Sequence, residues 1–350
     1  MQALRKVRPG PGLSLEEVAE PRPTATDVVV EVEAASVCGT DLHIHLWDGW
    51  AAGRVRPPVT LGHEFAGTVV EVGADVRHVA VGDFVSAESH ITCGACSACR
   101  TGNGHLCERT AILGLDRDGA FARYVAVPES VIWKTNREKL PPEIATLQEP
   151  FGNAVFATSE QDLSGRSVAV LGCGPVGLFT VAIAKASGAS SIVATDLHPF
   201  RLGLAKTMGA DVVVDASLPI DLHGVDVVFE MSGAPQAVGD AIRIARNGGR
   251  VILFGIPSRT VEIDVPAAIF KNLTVQAVSG RRIFATWYRT RWLLESGAVD
   301  LRPLITHEYG LEDWEQVFVK LEAGEACKIV VYPSGLPGGQ RQAAVAEVAG

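Results

Sequence analysis

The sequence predicts an α/β chain in which a mainly β part is joined to a doubly wound parallel sheet. Three observations carry this. In the first 150 residues, stretches of alternating apolar residues are separated by Gly, Pro or Asp, the signature of strands and turns. From Ser167 onward, short apolar runs alternate with helical patterns, as a parallel sheet with crossover helices requires. A length of 350 residues is enough for two or three domains with cores of their own.

Composition narrows the class. Apolar residues make up 47% and charged residues 20%, which excludes a disordered chain. Thirty-one basic against 40 acidic residues leave a net charge of -9, and a nucleic-acid-binding surface would need the opposite balance. The amino terminus, Met1 to Val7, has Arg5 and Lys6 but no apolar core after them, so it does not read as a targeting segment. The longest apolar stretch, Val168 to Ala186, is broken by Gly172, Gly174, Pro175 and Gly177, which rules it out as a membrane span. These features predict a cytoplasmic protein with neither nucleic acid nor membrane as a partner.

The elements follow in order. Val28–Ala34 (VVVEVEA), Glu64–Val72 and Phe121–Val127 alternate as half-buried strands. Around Pro150 the texture changes. A strand over Ser167–Leu171 leads to a helix ending near Ser187, and SIVATD leads to a helix ending near Met208. DVVVD, VDVVFEMSG, a helix over Ala234–Arg246 and RVILFG come next. A helix over Trp287–Ser296 precedes mixed elements that end with a strand at Lys328–Tyr332.

Cysteine usage points to metal. An odd count of seven in a long chain argues against a disulfide framework. Four of them run Cys93-x2-Cys96-x2-Cys99-x7-Cys107 through a Gly-rich, turn-like stretch. Thiolates spaced by two residues can converge on one ion, and a tight loop lets the fourth complete a tetrahedron. That set leaves no open position, so zinc there would be structural. An iron–sulfur cluster also uses four cysteines and stays open at this point. Cys173 and Cys327 read as packing residues.

Gly172-Cys173-Gly174-Pro175-Val176-Gly177 follows a strand and opens a helix. Gly172 permits the tight turn, Gly174 lets backbone approach a pyrophosphate, and Gly177 allows close helix–strand contact. Asp196 ends the next strand, where a carboxylate can accept hydrogen bonds from the adenosine ribose. An acid there repels a 2′-phosphate and favours NAD over NADP, and Arg201 stands nearby to soften that preference or lie along the ribose.

A second metal set is dispersed. Cys38 follows one strand, Gly62-His63-Glu64 precedes another, and Glu149 stands at the change of texture. Cys, His and a carboxylate give three ligands and leave a fourth position for water or substrate, the geometry of a catalytic zinc that polarises an alcohol oxygen.

Taken in this order, the Cys38 segment, Gly62-His63-Glu64, the four-cysteine lobe and the glycine turn resemble the zinc-dependent medium-chain dehydrogenases over nearly the whole chain. The similarity is strongest to the branch that oxidises L-threonine. It is carried by Cys38-Gly-Thr-Asp-Leu-His-Ile with Trp47 and Trp50, by Glu88-Ser-His-Ile-Thr-Cys93, and by Glu149-Pro-Phe-Gly-Asn-Ala. Ser279-Gly-Arg281, Thr286-Trp-Tyr288 and Ile305-Thr-His307 add to it.

The resemblance implies a GroES-like catalytic domain over 1–150, a Rossmann NAD-binding domain over 151–290, a return to the first domain over 291–333, and a flexible tail over 334–350. It implies that Cys38 and His63 bind a catalytic zinc with either Glu64 or Glu149, and that Thr40 and His43 form a proton relay. Val176, Asp196, Arg201, Phe254, Gly255, Ile256, Val278 and Ser279 match NAD-contacting positions. The implied reaction is zinc- and NAD-dependent oxidation of the secondary hydroxyl of L-threonine to 2-amino-3-oxobutanoate, by a homo-oligomer (dimer or tetramer) acting on a small-molecule substrate. Two positions depart from the pattern: Phe156 stands where the family usually has His, and Ala285 where it has Glu. These departures keep a polyol, diol or cyclitol dehydrogenase as the alternative, with a non-catalytic NAD(H)-binding sensor behind it.

Overall fold

A computed structural model describes residues 1–337; most of the tail expected over 334–350 lies outside the described residues. The chain forms two compact units, one from Met1–Pro150 together with the chain from Ile305 onward, the other from Phe151–Leu304.

The first unit is built around the strand Asp27–Ser36, whose alternation (DVVVEVEAAS) gives it a buried face along its whole length. It pairs antiparallel with Glu64–Val72, with Tyr124–Pro128 and with the last strand, Lys328–Tyr332. The last strand also pairs parallel with Ile305–Gly310, so both ends of the chain enter one sheet. Val28, Val30, Val32, Phe65, Val69, Val125 and Ile329 pack into its core. The segment read as a strand from Phe121 is a regular strand over Tyr124–Pro128; before it, Phe121 N–H donates to Leu61 O, Leu4 N–H donates to Phe121 O, and Ala122 bridges to Ala3.

The second unit is a six-stranded, all-parallel sheet. Its spatial order is Val212–Asp215, Ser191–Asp196, Ser167–Leu171, Val225–Glu230, Ala245–Leu253, Thr274–Ala277. In chain order that is 3-2-1-4-5-6, the doubly wound Rossmann arrangement, whose ligand crevice lies beyond the carboxyl ends of strands at the point where the order reverses. The helix expected to run to Arg246 stops at Ile244, and Ala245 already begins the fifth strand. The unit extends past residue 290 to Leu304: helix Ala285–Glu295 stays with it, with Arg289 Nη1 donating to Ser159 O at 3.4 Å.

Candidate active site

Cys38 caps the start of helix α1 (Gly39–Leu46). Its N–H donates to Asp41 Oδ2 at 2.9 Å while Asp41 N–H donates to Cys38 O at 3.1 Å, a reciprocal cap that fixes the turn after the long strand. Strand register pairs Ser36 with Glu64, which brings His63 and Glu64 beside Cys38. Donor atoms of Cys38, His63 and Glu64 all lie within 4.8 Å of one another.

Glu64 is buried, and its Oε2 accepts hydrogen bonds from Ser36 Oγ and from Lys328 Nζ. Lys328, also buried, donates further to Val37 O at 2.8 Å. Burial works against its ammonium, yet Glu64 and Cys38 outweigh burial and raise its pKa. Burial would likewise lower the pKa of His63, but Cys38 first, then Asp41 and Glu149, lift it to about 10. The imidazole therefore sits in an excess of negative charge. Glu64 Oε1 and His63 Nδ1 are buried without hydrogen-bond partners. Soft and hard anionic donors around one imidazole, with two buried polar atoms unsatisfied, fit a divalent cation such as zinc.

Glu149 lies in the first turn of helix Gln148–Ser159, and its Oε1 accepts from Ser89 Oγ at 2.5 Å. Its donor atom groups with Glu88 and His90, not with the Cys38 set. Glu88 is fully buried and takes both the backbone N–H of His90 at 3.0 Å and its ring Nδ1 at 2.9 Å.

Thr40 and His43 lie on α1 three residues apart, where side chains share a face. Their hydrogen bonds go elsewhere: Cys38 Sγ is 3.6 Å from Thr40 Oγ1, and His43 Nδ1 is 2.6 Å from Asp48 Oδ2.

The four lobe cysteines bring all their sulfurs within 4.8 Å of one another. Backbone amides point inward: Cys96 N–H donates to Cys93 Sγ, and Cys93 and Arg109 N–H donate to Cys107 Sγ, each at 3.4 Å. Amides of Ala95 and Cys96 hold the Cys93 thiol down at about 6, whereas burial and the neighbouring sulfurs push Cys99 up to about 11. Four sulfurs in a cage of donated N–H groups fit a closed metal site.

In the second unit the glycine turn has the expected geometry. Gly172 has φ 98°, and a Cβ there would meet Ser232 at 2.7 Å; a Cβ on Gly177 would meet Gly172 O at 1.9 Å. A Cβ on Gly174 meets nothing within 4 Å, so the open side of the turn is where a phosphate can approach the amides opening helix Pro175–Ala186, at whose first turn Val176 stands. Asp196 accepts from Cys173 N–H at 2.7 Å and His198 N–H at 2.9 Å, with Arg201 Nη1 at 3.9 Å. Phe254, Gly255 and Ile256 follow the fifth strand, and Val278 and Ser279 the sixth. Phe254 and Gly255 N–H both donate to Glu230 O, and Val278 N–H donates to Leu253 O, which lines these residues up along the carboxyl edge of the sheet beside the turn.

The match to known proteins is extensive. Residues 24–137 match the alcohol dehydrogenase GroES-like domain family and residues 175–296 the zinc-binding dehydrogenase family. The L-threonine 3-dehydrogenase of Symbiobacterium thermophilum is 47% identical over 344 residues, covering 95% of this chain and 98% of that one. The chain belongs to the zinc-binding dehydrogenases. The L-threonine 3-dehydrogenase of Pyrococcus horikoshii shares 46% identity over 94% of this chain and 98% of its own. Among solved structures, 2R,3R-butanediol dehydrogenase from Bacillus subtilis superposes with a TM-score of 0.85 at 31% identity, covering 95% and 99% of the two chains. A zinc-binding dehydrogenase from Sinorhizobium meliloti bound to NADP gives 0.87 at 31% identity, with the same coverage. This dehydrogenase uses zinc and NAD as cofactors.

Several partners in this dehydrogenase carry no signal in the sequence. Lys328 read only as the start of a strand, yet it neutralises Glu64 across 264 residues. Glu88 opens the Glu88-Ser-His-Ile-Thr-Cys93 segment with nothing in the sequence to mark a role. Nothing marked Asp41 except its place in the first turn after Cys38.

Proposed function

We propose that the protein is an L-threonine 3-dehydrogenase that oxidises the secondary hydroxyl of L-threonine to 2-amino-3-oxobutanoate with NAD. The observation that carries this reading is the convergence of Cys38, His63 and Glu64 in a chain 47% identical to an L-threonine 3-dehydrogenase over 344 residues. Cys38, His63 and Glu64 would hold the catalytic metal, which supplies Lewis-acid polarisation of the substrate hydroxyl when bound. Glu64 is favoured over Glu149 as the third ligand because its Oε1 is buried and unsatisfied, while Glu149 is engaged with Ser89. Thr40 takes the hydroxyl proton and passes it to His43, whose exposed ring exchanges it with solvent. The glycine turn and Asp196 would hold the dinucleotide, which when bound would supply the hydride acceptor, and the carboxylate at that position favours an unphosphorylated ribose.

The two departures do not point to another substrate. Phe156 is 7% exposed, with the Arg282 guanidinium 5.6 Å from its ring, and so acts as a packing residue. Ala285 is exposed at the start of its helix.

A homo-oligomer is supported by the outermost strand Thr274–Ala277, an open sheet edge beside exposed Val265, Ile269, Phe270 and Val275. A reducing compartment, the cytoplasm, suits thiols arranged as metal ligands. Among the described residues no helix is long and apolar enough to cross a membrane.

The test is NADH formation by zinc-loaded protein on L-threonine, butanediol and sorbitol, with light scattering for mass. Turnover on threonine alone is expected; turnover on a diol or polyol alone would move the assignment to that branch, and a monomeric mass would remove the oligomer.

A further inference from the structure

The segment Trp47-Asp48-Gly49-Trp50 is the part of the resemblance to which the reaction above gives no task. Trp47 ends α1 in the left-handed conformation, φ 56° and ψ 47°, which is uncommon for a bulky residue and persists only where its surroundings over-determine it. Two sets of contacts do so. The N–H groups of Trp47 and Asp48 both donate to His43 O. The Lys6 ammonium, tied to Gly10 O and Gly12 O, lies 4.7 Å from the centroid of the Trp47 ring. The chain is thereby turned back so that Asp48 faces the side chain of His43. Trp50 then stands edge-on to the same imidazole, 6.1 Å between centroids and 61° between planes.

We propose that Asp48 is a positioning residue for His43: its Oδ2 accepts the Nδ1 proton at 2.6 Å, fixing the ring and its tautomer so that Nε2 is the nitrogen that receives the relayed proton. This rests on the reading of Thr40 and His43 as the proton relay. The other carboxylate oxygen accepts from Ala51 N–H at 2.9 Å, so the carboxylate is anchored to helix α2 (Gly49–Arg54) while it orients the ring. The Ala51 amide and then the His43 ring hold the Asp48 carboxyl below its ordinary range, keeping it an acceptor at neutral pH. His43 is exposed and Asp48 half-buried, so solvent screens the pair and it adds little to stability; its effect falls on orientation.

The test uses zinc-loaded protein with Asp48→Asn, which keeps an oxygen for the α2 cap but loses the carboxylate, and Asp48→Ser, which keeps the cap but is too short to reach the ring. Both should lower kcat for threonine roughly 10- to 100-fold, the usual range for a partner that orients a functional histidine, with KM for NAD and the thermal midpoint unchanged. Asp48→Glu should restore part of the loss. In a His43→Ala background, Asp48→Asn should change kcat no further. Nitrogen-15 NMR of labelled histidine should show His43 shifting from the Nδ1–H tautomer toward a mixture in Asp48→Asn. Unchanged kcat, an equal loss with and without His43, or an unchanged tautomer each overturns the proposal. If the wild type turns over none of the three alcohols, the relay reading fails on its own, while the NMR result still decides whether Asp48 orients the ring.

Discussion

The four-cysteine lobe draws all its candidate ligands from one stretch, Cys93–Cys107, whereas the proposed Cys38–His63–Glu64 centre gathers its candidates from the end of one strand and the start of another, and its counter-charge from Lys328. The lobe's sulfurs are half-buried, and their charge is met by amides of the same short stretch, those of Cys93, Cys96 and Arg109. The centre is deeply buried at His63 and Glu64, and its charge is met by side chains that only the folded sheet brings near. A local site can be rigid and closed because short-range geometry alone defines it. A site that must admit a substrate has to be held open by walls, and walls come from distant parts of the chain.

Removing Cys38 tests the difference most severely. Cys38→Ala should lower turnover by roughly a thousandfold or more, since a Lewis acid supplies several kcal/mol to such a reaction, while zinc content falls from about two to about one per chain. Loss of both ions would mean that the two regions are coupled. A comparison of peptides comes next: one spanning residues 90–110 should bind cobalt(II), read by its thiolate charge-transfer band, roughly a thousandfold more tightly than one spanning 36–66. Equal affinities would show that the centre is as local as the lobe.

The counter-charges separate the regions further. Lys328→Met leaves Glu64 buried without its partner and should destabilise the protein by about 3–5 kcal/mol, measured by calorimetry of the metal-loaded form. A near-neutral result would mean that the bound metal, and not Lys328, carries the balance. Arg109 occupies the matching place in the lobe, its guanidinium 3.4 Å from Cys93 Sγ, but it is exposed. Arg109→Ala should weaken zinc binding at the lobe no more than a few-fold in a competition titration, because solvent already screens that charge. A loss as large as that of Lys328→Met would place the lobe's charge in a far drier setting than its exposure suggests.

Much was legible in the residues themselves. The lobe could be read from spacing because its ligands are neighbours along the chain. The glycine turn could be read because Gly172 and Gly177 make close backbone contacts between strand and helix and Asp196 ends the next strand. The parallel sheet followed from alternation of apolar runs and helices. Cys38, His63, Glu64 and Glu149 were identifiable as metal-ligand types, and family resemblance grouped them, but nothing in the chain chose between the two acids. What the fold adds is register: Ser36 opposite Glu64 on one side and opposite Val330 on the other places the Lys328 ammonium against the Glu64 carboxylate. A slip of one residue would send these side chains to the opposite face. The same holds for Asp48, whose meeting with His43 depends on a left-handed Trp47 held by Lys6, and for Glu88 beneath His90. Sequence by itself determined the sheet class, the glycine turn and the closed lobe, because their physics acts over a few residues. Tertiary structure decided which buried charges face one another, because pairing across strands and loops is set by packing of the whole unit.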